Sequence, residues 1–177
     1  MIFERLVRTC GIGTAACVLT MLLSGIAVAA DLPEPTGDEI LTVDGAVSVS
    51  NRTGEAVFDH AMLAEIDTHQ FTTNNPWDET VSTFEGIRLS SLMAALGVDA
   101  GAELLVVAAL DGYVAEVPIA DFDRFEPILA WSRDGERMTV RDKGPLWLVY
   151  PYDSDEELTG EVYSARSVWQ IERITVE

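Results

Sequence analysis

Two cysteines, two histidines and a set of aromatic and acidic side chains make up the chain's chemical repertoire. Cys10 and Cys17 fall in a segment that reads as an export signal. Once that segment is removed no thiol remains, so a disulfide, a cysteine nucleophile, a zinc–thiolate site and a thiolate-bound redox metal are all excluded. His60 and His69 could ligate a metal or supply a base, but they have no cysteine and no compact spacing, so both read as structural or surface residues. Asp153, Asp155, Glu156, Glu157 and Glu161 could offer oxygen ligands to calcium. No glycine sits at the sixth position of a calcium loop, and a solvated acidic loop is the simpler reading. There is no G-x-S-x-G, G-x-G-x-x-G or P-loop. The aromatics are more informative. Trp77, Tyr113, Trp131, Trp147, Tyr150, Tyr152 and Tyr163 lie at strand ends or in loops, which suits a small-ligand pocket or, beside carboxylates, a cation site. Trp147 and Trp169 sit within strand patterns and read as core.

Charge and targeting narrow the partners. Arg5 and Arg8 precede an apolar run, and Ala27-Val28-Ala29 is a cleavage pattern, so residues 1–30 read as a signal peptide and 31–38 as a linker. The arginines are not adjacent, so export of an unfolded chain is expected, with a periplasmic or secreted destination and no insertion in a membrane after cleavage. Removing Glu4, Arg5 and Arg8 leaves 9 basic and 29 acidic residues, a net charge of −20, with Lys143 the only lysine. Such a field repels nucleic acid and anionic lipid and leaves a small molecule or an envelope protein as the partner.

The elements that must position these residues are short. Glu39–Val43 and Ala46–Ser50 read as a hairpin around Asp44-Gly45. Phe58–Ile66 has helical spacing, and His69–Thr73 could be a strand. Phe84–Ile87 leads into a helix over 89–96 with an apolar stripe of Leu89, Leu92, Met93 and Leu96, stopped by Gly97. Glu103–Leu110 and Tyr113–Val117 flank Asp111-Gly112 as the clearest hairpin. Residues 119–125 form a bridge. Residues 128–131, 138–140, 146–150 and 168–176 read as strands. The result is a sheet-rich α+β domain over 39–177 with two short helices.

In this order the landmarks resemble the oxidoreductase molybdopterin-binding domain family, whose fold is that of sulfite oxidase. Phe71-Thr72-Thr73 with Pro76-Trp77 looks like the strand entering the family's cofactor loop, with His69 leading into it. Phe84 to Leu89 looks like its helix entry. Ala109 to Tyr113 and Val117 to Asp121 match the next hairpin and bridge. Lys143 to Pro151 looks like its Gly-Pro segment, and Val168 to Ile174 is similar to its closing segment. The resemblance implies a sulfite oxidase-like fold and places a cysteine ligand to molybdenum near Thr72 or Thr73, where this chain has none. Trp147 and Val168 stand where the family carries an arginine and a lysine.

The expectation drawn from these departures is an exported, non-catalytic domain binding a small ligand or partner protein, with no catalytic residue, metal or cofactor. A molybdopterin-dependent oxidoreductase with atypical cofactor contacts is the alternative. The expected ligand-binding residues are His69, Thr72, Trp77, Asp111, Tyr113, Tyr150 and Arg166. Among them Arg166 is the cation available to an anionic ligand.

Overall fold

The computed structural model describes residues 32–78 and 80–177. The signal peptide expected over 1–30, with Cys10 and Cys17, lies outside them. Two five-stranded sheets carry the domain. The first has the order β2-β1-β10-β5-β6, from β1 (Leu41–Gly45), β2 (Glu55–Phe58), β5 (Leu104–Ala109), β6 (Val114–Pro118) and β10 (Ile171–Val176). The second runs β3-β4-β7-β8, from β3 (His69–Asn75), β4 (Thr80–Arg88), β7 (Ile128–Arg133) and β8 (Glu136–Arg137). Its fifth strand, β9 (Trp147–Val149), pairs with β7. The chain's last strand lies parallel to its first, Val43 opposite Ile174, while the other pairings are antiparallel. Four short helices pack on these sheets: α1 (His60–Ile66), α2 (Leu89–Leu96), α3 (Ala120–Phe125) and α4 (Glu161–Arg166). The architecture is α+β, as expected. Among the described residues no helix is long and apolar enough to cross a membrane.

The sequence explains most of these elements. Asp59 starts α1 because its side chain accepts from the Met62 amide at 3.0 Å. The other oxygen of Asp59 accepts from the Thr36 and Gly37 amides at 2.8 Å, which ties the segment before β1 to the helix. The apolar stripe of α2 is buried as its spacing requires, and Gly97 closes the helix with φ 57. Leu105, Val107 and Ala109 of β5 point inward, in step with strand periodicity. The core gathers Phe58, Phe84, Ile87, Leu92, Trp147 and Tyr150, all nearly fully enclosed.

Three local expectations are corrected. The Asp44-Gly45 hairpin is not formed. After Gly45 the chain leaves the sheet, and the Ser48 and Val49 amides donate to Leu96 O at the end of α2. β1 pairs instead with β2 on one side and β10 on the other, and Val176 O of β10 lies 2.2 Å from where a Cβ on Gly45 would stand. No strand forms over 138–140: β8 is Glu136–Arg137, and Val140–Asp142 is a 3-10 turn. β4, a nine-residue central strand, and α4 were not expected as elements.

Candidate functional site

A cavity of about 330 Å³ opens between the β5–β6 turn, the loop after β3, and the segment from α4 to β10. Its walls are Trp77, Ala109, Asp111, Tyr113, Ser164, Ala165, Ser167, Val168 and Trp169. Each wall has a reason to stay in place. In the β5–β6 turn, Gly112 takes φ 86, a conformation that suits glycine, and Asp111 Oδ1 accepts from the Tyr113 amide at 2.9 Å. The Tyr113 hydroxyl donates to Ala165 O at 2.9 Å, which ties this turn to α4. The Tyr113 residue still has 47% of its surface exposed, so its ring forms a rim rather than a plug.

The opposite wall is aromatic. Trp77 meets Trp147 and Trp169 edge-to-face, each with centroids 5.5 Å apart, and Tyr152 at 6.2 Å. Behind it lies a satisfied polar layer. Trp147 Nε1 donates to Ser167 O at 3.2 Å, and Ser167 Oγ donates to Tyr163 O at 2.8 Å. With its own proton committed there, Ser167 accepts from the Tyr152 hydroxyl. Burial holds the Tyr152 phenol protonated, well above its usual range, with the Ser167 contact opposing the shift. The Lys143 ammonium lies over the same indoles, 4.4 Å from the Trp147 centroid, 5.0 Å from Trp169 and 5.1 Å from Trp77. Burial lowers its pKa, and Asp78 partly offsets this. Among the described residues, Asp111 is the only charged one in the cavity wall. The arrangement is chemically that of a binding site: aromatic side chains for an apolar ligand surface, and the Asp111 carboxylate and Ser164 for its polar edge.

Of the seven residues expected at a site, the structure brings three together here: Trp77, Asp111 and Tyr113. The other four lie elsewhere. Arg166 turns away because Asp121, 5% exposed, holds its Nη1 at 3.0 Å, and the guanidinium lies 5.4 Å from the Tyr163 ring. Tyr150 is fully buried beneath and donates to the same Asp121 oxygen at 2.8 Å. Burial first, then Asp121, raises its pKa. Thr72 is exposed and shares a hydrogen bond of 2.8 Å with Thr83 across β3 and β4. His69 sits on β3, tilted against Phe71 at 6.2 Å. The other histidine, His60, packs edge-on against Trp131 at 4.9 Å, and burial lowers its pKa. Sequence reasoning missed Trp169, Ser164 and Ser167. Trp169, expected in the core, packs against it but is only half-buried and also lines the cavity. Among the described residues, no three His, Cys, Asp or Glu side chains are grouped to hold a metal ion.

The comparisons fit this architecture. Residues 47–177 match the family model described as the oxidoreductase molybdopterin binding domain. Among solved structures, the chain is similar to the sulfane dehydrogenase SoxCD from Paracoccus pantotrophus, with a TM-score of 0.60 and 18% identity. The similarity covers 77% of this chain and 37% of that one. At that identity it shows the shared fold, and the chain spans little more than a third of that neighbour's length. No curated protein sequence matches.

These matches correct the expectation that no cofactor accompanies the chain: the family is one that binds molybdopterin, and that is the cofactor it points to. Tested against the residues present, the organic part fits and the metal does not. The indole faces of Trp77 and Trp169 suit a flat heterocycle, and Asp111 suits its N–H edge. No thiol exists outside Cys10 and Cys17. At the positions where the resemblance puts the sulfur ligand, Thr72 is bonded to Thr83, and Thr73 Oγ accepts from the Asp153 amide at 3.1 Å. No chemical step is therefore derived through a molybdenum centre.

Proposed function

Because the chain belongs to the oxidoreductase molybdopterin binding domain family, we propose that it is an exported member that works by binding, holding a flat, nitrogen-rich heterocycle of the pterin class between Trp77, Trp169 and Tyr113. The observation that carries this reading is the cavity wall itself: aromatic side chains, one carboxylate and the Ser164 hydroxyl, with no sulfur ligand for a metal. An aromatic face attracts a planar ring through stacking, worth about 1–3 kcal/mol per ring by alanine substitution in nucleic-acid systems. Asp111, already oriented by the Tyr113 amide, has its second oxygen for the ligand's ring N–H groups. Export and an envelope location rest on the N-terminal segment and on the acidic balance, 29 acidic against 9 basic residues beyond it.

A titration of free pterin into the processed chain, followed by quenching of tryptophan fluorescence, tests the reading. Saturable one-to-one quenching that Trp169→Ala weakens about tenfold or more supports it. Quenching that is non-saturable, or unchanged in Trp169→Ala, counts against it.

A further inference from the structure

The chain's basic residues are distributed in an unusual way. Beyond the N-terminal segment there are nine. Six of them, Arg52, Arg88, Arg124, Arg133, Arg166 and Arg173, are paired with carboxylates. Among the described residues the other three, Arg137, Arg141 and Lys143, form no ion pair, although 29 acidic residues are available. All three line one concavity of about 300 Å³, which they share with Met138 and with Arg133, itself paired with Asp78 at 2.7 Å. Two acidic residues share the lining, and one of them, Asp142, is occupied by the Thr139 hydroxyl at 2.7 Å.

The loop that presents these cations is held firmly. The Gly144 amide donates to Thr139 O at 2.7 Å, Gln170 Nε2 to Val140 O at 2.6 Å, and the Gln170 amide to Lys143 O at 3.0 Å. Lys143 itself has φ 71, a left-handed conformation that costs a residue with a Cβ about 1–2 kcal/mol. Such strain at a non-glycine residue is a mark of a constrained functional position.

We propose that this pocket is a second binding site, for a small oxyanion of the phosphate class, held by Arg137, Arg141 and Lys143. Guanidinium groups are suited to bidentate bonds with such an anion, and a loop already fixed in place spends little ordering entropy on binding. The chain's overall negative charge does not forbid it. At physiological ionic strength fields are screened over about 8 Å, so a small anion in the pocket responds mainly to the lining itself, where four cations outnumber Glu136 and Asp142, whereas an acidic macromolecule would still meet the surrounding carboxylates. The site does not depend on the cavity of Trp77 and Trp169. The two communicate through Lys143, whose ammonium lies over both indoles. An anion that draws the ammonium toward itself alters the environment of those rings.

The test is isothermal calorimetry of the processed full-length chain with inorganic phosphate and with pyrophosphate, alongside tryptophan fluorescence. One saturable site is expected, weakened about tenfold by Arg137→Ala and by Arg141→Ala, the loss of one charge-assisted contact each. Arg52→Ala, which alters a cation paired with Glu39, leaves it unchanged. Lys143→Gln weakens binding and removes the fluorescence response. Thermal melts establish that each variant is folded. Absence of saturable heat up to about 10 mM of either anion overturns the proposal. So does wild-type affinity in the folded Arg137→Ala/Arg141→Ala double variant.

Discussion

Replacing Asp121 by alanine removes the carboxylate on which the wall of the cavity is anchored. Asp121 Oδ2 accepts from Tyr150 at 2.8 Å and from Arg166 at 3.0 Å. Through Arg166 it holds the end of α4, which supplies Ser164 and Ala165 to the cavity. In Asp121→Ala the Tyr150 hydroxyl, fully buried, loses its acceptor, which costs about 1–3 kcal/mol. Arg166 loses its partner as well. Breaking a fully buried pair costs about 3–5 kcal/mol, but the Arg166 side chain is 22% exposed and can swing toward water, so its share belongs near the lower end. Allowing for overlap between the two losses, the variant should be destabilised by about 3–4 kcal/mol. For a domain of this size that lowers the melting temperature by about 10 °C. Asp121→Asn keeps an acceptor for Tyr150 and should lose roughly half as much. Urea unfolding followed by circular dichroism measures both. A loss below about 1 kcal/mol in the alanine variant would refute the view that this carboxylate anchors α4.

Other expectations follow from single contacts. Gly86→Ala places a Cβ 2.1 Å from Leu129 O at the bulge between β4 and β7, and should cost about 3 kcal/mol in urea unfolding. Trp169→Ala should weaken pterin binding by about tenfold or more while shifting the melting temperature less than Trp147→Ala, because Trp147 is 1% exposed and Trp169 is half-buried. Hydrogen bonding from Arg88 holds the Asp67 carboxyl at about 2, below its ordinary 3.8. A depressed value means that stability from this pair is fully present above pH 3.8 and is lost as the pH falls through about 2. Acid titration of wild type against Asp67→Asn should therefore show the difference between them shrinking across that window.

Much of the fold is visible in local patterns, and the failures share one cause. The Asp111-Gly112 turn and the Asp44-Gly45 pair carry the same hairpin signal. The first forms a hairpin because β5 and β6 have nothing between them to compete. The second does not, because Val176, from the far end of the chain, takes the position beside Gly45. β4 escaped notice because its outward Thr80 and Thr83 and its glycine at the bulge hide a central strand. Three of the nine residues lining the site were legible for a similar reason. Trp77, Asp111 and Tyr113 sit at turn positions that local sequence marks as loop tips. Arg166 reads as a free cation only until Asp121, 45 residues earlier, is brought beside it. Trp169 looked like core because its neighbours alternate as a strand, whereas Gln170 takes φ 54 and breaks that alternation.

The most direct test of the central claim is analysis of the protein purified from its native compartment for molybdenum and for a released heterocycle. A pterin-class molecule approaching one per chain, with molybdenum far below one per chain, is the predicted result. One molybdenum atom per chain, or no heterocycle at all, would contradict it.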